Sequence, residues 1–196
     1  MGKLLDMATI RTFIAVNPAQ RVNNNVSKVV GRLATLCDQY RWVEPENLHV
    51  MLNYVGDVVD IEIPELCKLI KNVVEPMGSF DMSLQGVSGF SSAEEPRTLW
   101  IGVDEGAEAL RRLYKALEDV LHHWGVNKDR NEYVPHMTLG RVTRGGRWNE
   151  ELLTLVHKLR NHDGGFWHVG EIVVYSSFQD RGGPTYTPMA RVQLKG

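Results

Sequence analysis

A six-residue pattern occurs twice in the chain, as Asn47-Leu48-His49-Val50-Met51-Leu52 and as Val134-Pro135-His136-Met137-Thr138-Leu139. Each copy reads as a strand with one buried face, because side chains alternate across an extended backbone. In the first copy His49, Met51, Asn53 and Val55 are expected on one face, with Val50, Leu52 and Tyr54 on the other. In the second, His136 and Thr138 share a face while Met137 and Leu139 turn to the core. Two such strands are the mark that two related halves would leave.

The remaining periodicity supplies helices to cover those strands. Ile10 to Val16 predicts a strand, ending at Asn17-Pro18, where Asn17 is placed to cap a helix and Gln20 occupies the capping-box position. Val22, Val26, Val29, Leu33, Leu36 and Tyr40 recur at helical spacing, as do Leu66, Leu69, Ile70 and Val73 after Pro64 and Leu110, Leu113, Leu117, Leu121 and Trp124 further on. Another helix is expected over 150–160. Strands are predicted at 48–55, 80–85, 99–103, 135–142, 166–169, 172–178 and 186–194, with loops at 89–96 and 125–133 and a hairpin loop at 180–184. Short strands, polar on one face and joined by hairpin-like loops, favour an α+β fold with antiparallel sheets over a doubly wound parallel sheet. The length suits one domain over residues 1–196.

Charge narrows the function. Lys and Arg number 22 against 24 Asp and Glu, a balance that argues against coating long nucleic acid but leaves room for a pocket that holds one or two nucleotides. Cys37 and Cys67 read as buried thiols on helix faces. The N-terminus carries no signal-peptide pattern and no apolar run is long enough to span a membrane, so a cytoplasmic, membrane-free monomer is expected.

Two imidazoles that titrate near neutrality can act as a proton donor and a proton acceptor on one phosphodiester. If the two strands lie side by side, His49, His136 and the Thr138 hydroxyl converge, and the hydroxyl supplies a donor for phosphoryl oxygen. This scheme calls for no metal and no cofactor. The other histidines, His122, His123, His157, His162 and His168, are assigned to surface or loop positions.

In these residues the chain resembles the 2H phosphoesterase superfamily, and within it the RNA 2′,3′-cyclic phosphodiesterases, also called 2′-5′ RNA ligases. The resemblance rests on two H-x-T/S-x motifs, here His49-Val50-Met51-Leu52 and His136-Met137-Thr138-Leu139, and extends to 11–16, 41–48, 98–103 and the segment 171–186. It implies a bilobal fold with two antiparallel sheets, flanked by helices, around a central cleft. It further implies cleavage of RNA or nucleoside 2′,3′-cyclic phosphates, with weak reverse 2′-5′ ligation, and RNA ends or small cyclic nucleotides as partners. By the resemblance, His49 donates the proton to the leaving 3′ oxygen, His136 takes one from water, and Arg141 touches the phosphate. Strict alternation puts Arg141 on the face opposite Thr138, so that role needs a bulge, a strand end or a long reach.

The departure from the family pattern is Met51, where the motif expects Thr or Ser; a thioether donates no hydrogen bond. Three readings follow. Activity is reduced but real; another donor, Asn53 or a water, compensates; or the cleft binds an RNA terminus or cyclic nucleotide without turnover.

Overall fold

The computed structural model describes residues 8–90, 96–143, 148–180 and 183–196. Along the chain these form β1 (Thr9–Val16), α1 (Gln20–Ala34), β2 (Tyr40–Trp42), β3 (Val50–Val59), α2 (Ile63–Val74), β4 (Phe80–Phe90), β5 (Thr98–Val103), α3 (Ala107–Trp124), β6 (His136–Val142), α4 (Glu150–Lys158), β7 (Asp163–Val169), β8 (Glu171–Asp180) and β9 (Gly183–Gln193). The strand pairings are antiparallel, in the order β7-β4-β5-β6-β3-β1-β8-β9, with β2 added beside β6.

That order has a centre. One residue pair, Val50 with Met137, joins β3 to β6, and each half leads outward through four strands. On one side β3-β1-β8-β9 and on the other β6-β5-β4-β7 repeat the same plan. In each half a strand, a helix and a strand antiparallel to the first occur in that order (β1-α1-β3, with β2 between α1 and β3, and β5-α3-β6); His49 immediately precedes β3, and His136 is the first residue of β6. The expected two antiparallel sheets are present, and they meet at this pair to form a continuous curled sheet.

The helices bury the faces their periodicity predicts: Val22, Val26, Val29 and Leu33 on α1, Leu66, Ile70 and Val74 on α2, and Leu110, Leu113, Leu117 and Leu121 on α3. Each such side chain contributes about 1.5–3 kcal/mol by leaving water. These residues and the inward faces of both half-sheets form one apolar cluster. No helix among the described residues is long and apolar enough to cross a membrane.

Local departures from the predicted elements have physical causes. Asn17 does not cap α1, which starts at Gln20 without a side-chain cap; instead Tyr175 Oη donates to Asn17 Oδ1 (3.0 Å) and Trp167 Nε1 donates to the Asn17 carbonyl (3.1 Å). Tyr40 belongs to β2 rather than to α1, and Cys37 lies in the turn between them. A three-residue strand is too short to display alternation. β3 continues past Gly56, which adopts a positive φ of 92° within the strand, so the glycine read as a terminator acts as a bend. β4 extends to Phe90, into the predicted loop, whose residues 91–95 lie outside the described ones, as do 181 and 182 of the predicted hairpin loop.

Candidate active site

The pair Val50–Met137 places both motifs. Antiparallel register, carried one residue either way from that pair, sets His49 opposite Thr138 and Met51 opposite His136. Val50 and Met137 are both fully buried and face the core, so the other four residues point to the opposite side. His49 and His136 are then diagonal neighbours, a relation that separates backbones by about 7–8 Å. All four residues, with Arg141, line one cavity of about 540 Å³ that also takes in Arg41, Asn47 and Tyr186. A larger cavity of about 780 Å³ adjoins it through Met51, His136 and Arg141; His49 does not line that one.

Both imidazoles are held alike. His49 Nδ1 lies 2.7 Å from the Asn47 carbonyl and His136 Nδ1 lies 2.7 Å from the Val134 carbonyl, each two residues back along the chain. A carbonyl only accepts, so Nδ1 carries the hydrogen and Nε2 is left for the cleft. Aromatic rings fix each imidazole from the side. Phe13 and Tyr186 pack on His49 with centroids at 5.1 and 5.4 Å; Phe90 and Trp100 pack on His136 at 4.9 and 5.8 Å. Burial pushes both imidazoles below their ordinary range, against the lift from the Nδ1–H bonds. The nearby Arg141 guanidinium lowers both further, and His49 also feels His136.

Arg141 reaches the cavity by a backbone device. β5 pairs Leu99 with Gly140 but Trp100 with Thr138, leaving Leu139 as an extra residue in β6. This bulge resets the alternation, so Leu139 and Gly140 are both buried and Arg141 returns to the face of Thr138. Its Nη1 donates to Thr98 Oγ1 (3.3 Å). Arg141 is exposed to the cavity, and β6 is flanked on both sides at this position, so it does not stand on a sheet edge. Gly140 is needed here: a Cβ would come within 2.7 Å of the Trp42 ring, which β2 lays against it.

The first motif is bulged at the matching place. β1 pairs Ile14 with Asn53 and Ala15 with Met51, leaving Leu52 unpaired. The expected shared face of His49, Met51, Asn53 and Val55 is therefore broken after Met51. Asn53 and Val55 are buried and Tyr54, rather than packing with Val50 and Leu52, is 54% exposed. Of these two cavities Asn53 lines only the larger, and its Oδ1 is buried without a hydrogen-bond partner among the described residues. It therefore does not stand beside the two imidazoles as the compensating donor considered above.

Of the remaining histidines His122, His123, His157 and His168 are exposed and His162 is half-buried. Sequence reasoning missed Arg41, whose Cα is paired with that of Arg141 across β2 and β6, so two guanidinium groups share one wall of the cavity. It also gave no role to Phe90, Trp100 and Tyr186. Their only signal is distance in space, which no local pattern carries.

Residues 20–180 match the family model of the 2′-5′ RNA ligase superfamily. The RNA 2′,3′-cyclic phosphodiesterase of Methanothermobacter thermautotrophicus is 31% identical over 185 residues, covering 94% of this chain and 99% of that protein. The protein of the same name from Aquifex aeolicus is 29% identical over 97% of this chain and all of its own length. Among solved structures, TT0787 of Thermus thermophilus superposes with a TM-score of 0.81 at 21% identity, over 95% of this chain and 99% of that one. With two bulged histidine strands meeting at one residue pair and a family match over most of its length, the chain belongs to the 2′-5′ RNA ligase superfamily.

Proposed function

We propose that the protein hydrolyses 2′,3′-cyclic phosphates at RNA ends or on nucleosides, with His49 as acid and His136 as base. The observation that carries this reading is the pair of imidazoles lining one cavity, each tied through Nδ1–H to a carbonyl two residues back. The names of the relatives support the substrate class.

Neutral His136 takes a proton from water through Nε2 as the water oxygen attacks phosphorus. The bond from phosphorus to the 3′ oxygen breaks, and protonated His49 gives its Nε2 hydrogen to that oxygen. The product is a 2′-phosphate with a free 3′ hydroxyl, and proton exchange with solvent restores the starting forms. The Thr138 hydroxyl and the Arg141 guanidinium are the donors for charge on the phosphoryl oxygens. With a 5′ hydroxyl in place of water as the nucleophile, the same steps join the 5′ oxygen to phosphorus as the bond to the 3′ oxygen breaks, giving a 2′-5′ linkage, the basis for a weak ligation activity.

The test is turnover of 2′,3′-cyclic AMP in the presence of EDTA, with the product separated as 2′-AMP or 3′-AMP. Turnover that survives chelation, yields 2′-AMP and collapses in His49→Ala and in His136→Ala supports the reading. Activity that requires added metal, or survives either substitution, contradicts it.

Met51 favours a second reading, in which the cleft binds RNA termini or cyclic nucleotides without turning them over. Absence of turnover in both the wild type and Met51→Thr, with retained binding of 2′-AMP, supports this alternative.

A further inference from the structure

The half of the sheet that carries Met51 lacks the hydroxyl that the other half offers through Thr138. We propose that the phenol of Tyr186 is the donor that stands in for it, contacting a phosphoryl oxygen of the bound substrate. This inference rests on the phosphodiesterase reading above.

Tyr186 lies on β9, opposite Ser177 of β8, in the same half-sheet as His49 and Met51. It lines the cavity that holds both imidazoles, Thr138 and Arg141. Its ring is fixed edge-on to His49, at 5.4 Å and 87°, and to Phe13, at 4.8 Å and 72°. A ring clamped between two others holds its hydroxyl in one place, which is what a donor for a developing charge requires.

The hydroxyl itself is uncommitted. The chain has six tyrosines. Tyr40 donates to the Pro96 carbonyl, Tyr114 to Glu118 Oε1 (2.8 Å), Tyr133 to the Met51 carbonyl (2.9 Å) and Tyr175 to Asn17 Oδ1 (3.0 Å). Tyr54 is exposed and has water. Tyr186 is half-buried and has no hydrogen-bond partner among the described residues. The neighbouring Tyr175 packs on the same Phe13 ring and has its hydroxyl tied down, so the contrast is within one aromatic cluster.

The phenol also keeps its proton. Burial pushes it up from its ordinary value, and the opposing pull of the Arg141 guanidinium places the two groups in one neighbourhood. A neutral hydroxyl beside a guanidinium is a donor pair for an anion. Its counterpart on the second half is Thr138, so the two halves supply one hydroxyl each by different routes.

The experiment is a cycle of Tyr186→Phe, Met51→Thr and the double variant, read by kcat and KM on 2′,3′-cyclic AMP and by calorimetric binding of 2′-AMP. Phenylalanine preserves the ring contacts, and thermal melting checks that each variant folds. The expected result is a loss of about 10²-fold in kcat for Tyr186→Phe, with KM little changed and weaker 2′-AMP binding. In the Met51→Thr background the same change costs less than about tenfold, because the restored hydroxyl takes over. Tyr186→Phe with wild-type kcat and wild-type 2′-AMP affinity overturns the inference, and so does an equal loss in both backgrounds. If the wild type turns over no cyclic phosphate, the phosphodiesterase reading fails by itself. The binding arm then judges Tyr186 alone: weaker 2′-AMP binding in Tyr186→Phe sustains its contact with phosphate, and equal binding removes it.

Discussion

The two histidine strands are built alike and equipped differently. Each places an imidazole at its start, ties Nδ1 to a carbonyl two residues back, buries the next residue at the central pair and bulges at the fourth position. Beyond that frame they diverge. β6 carries Thr138 and, past its bulge, Arg141; β3 carries Met51 and, at the matching place, exposed Tyr54. The frame pairs the two imidazoles, whereas the hydroxyl and guanidinium proposed to face phosphoryl charge are not paired. A symmetric backbone can therefore hold an asymmetric site, with most of the proposed phosphate donors on one side.

Removing either imidazole tests what the halves share, and it carries the largest effect. General acid or base catalysis contributes about 10²–10⁴-fold, so His49→Ala and His136→Ala should each lower kcat by that order. The double variant should fall little further, because neither proton transfer helps without the other. Multiplicative losses in the double variant would mean that the two rings act independently.

The hydroxyl position separates the halves. Thr138→Val keeps the shape and removes a donor, at a cost of about 10²–10³-fold in kcat. Met51→Ala removes no donor and should leave kcat near the wild-type value. Equal losses at the two positions would show that Met51 contributes by packing on His136, and that the asymmetry lies elsewhere.

Arg141 and Tyr54 extend the contrast past the bulges. A hydrogen bond to a charged group is worth about 1.5–3 kcal/mol, so Arg141→Ala should lower kcat/KM by about 10–10²-fold. Tyr54→Ala, outside the cavity shared by the imidazoles, should leave it unchanged. A loss at Tyr54 of the size seen at Arg141 would make the anion site two-sided.

How much of this was legible in the sequence follows from the range of each interaction. Helix faces such as Leu110-Leu113-Leu117-Leu121 repeat within a few residues, so period alone locates them, and the buried Val50, Leu52, Met137 and Leu139 follow from alternation. The two histidine strands were legible as a pattern, and their convergence was carried by the family resemblance. What alternation could not give was the bulge, because an extra residue is defined by the partner strand. That is why Arg141 seemed misdirected and Asn53 seemed to face His49. Tyr186 escaped for a related reason: its place beside His49 depends on a ring 137 positions away in the chain coming within 5.4 Å.

The smallest effect is a shift in pH dependence, and it follows from the one electrostatic feature both halves feel. Burial holds His49 and His136 below the ordinary imidazole range, and Arg141 lowers both further. The free enzyme needs one ring protonated and one neutral, and the two titrate as a coupled pair. The bell of kcat/KM should therefore be centred on the acid side of about pH 6.5, the ordinary imidazole value. Replacing Arg141 by Gln removes a cation near both rings, so the bell should move toward alkaline pH while its height falls. Stability carries the same sign. Unfolded imidazoles take up protons near pH 6.5 and the folded ones only at lower pH, so this contribution is complete above that value and is lost as the pH falls through the lowered ones. His49→Gln should flatten that loss in a thermal-melting series, since it is the ring lowered by both Arg141 and its partner imidazole. A bell centred above the ordinary imidazole value, or one that Arg141→Gln leaves in place, would show that burial and the Arg141 cation do not set the protonation of the two rings in the free enzyme.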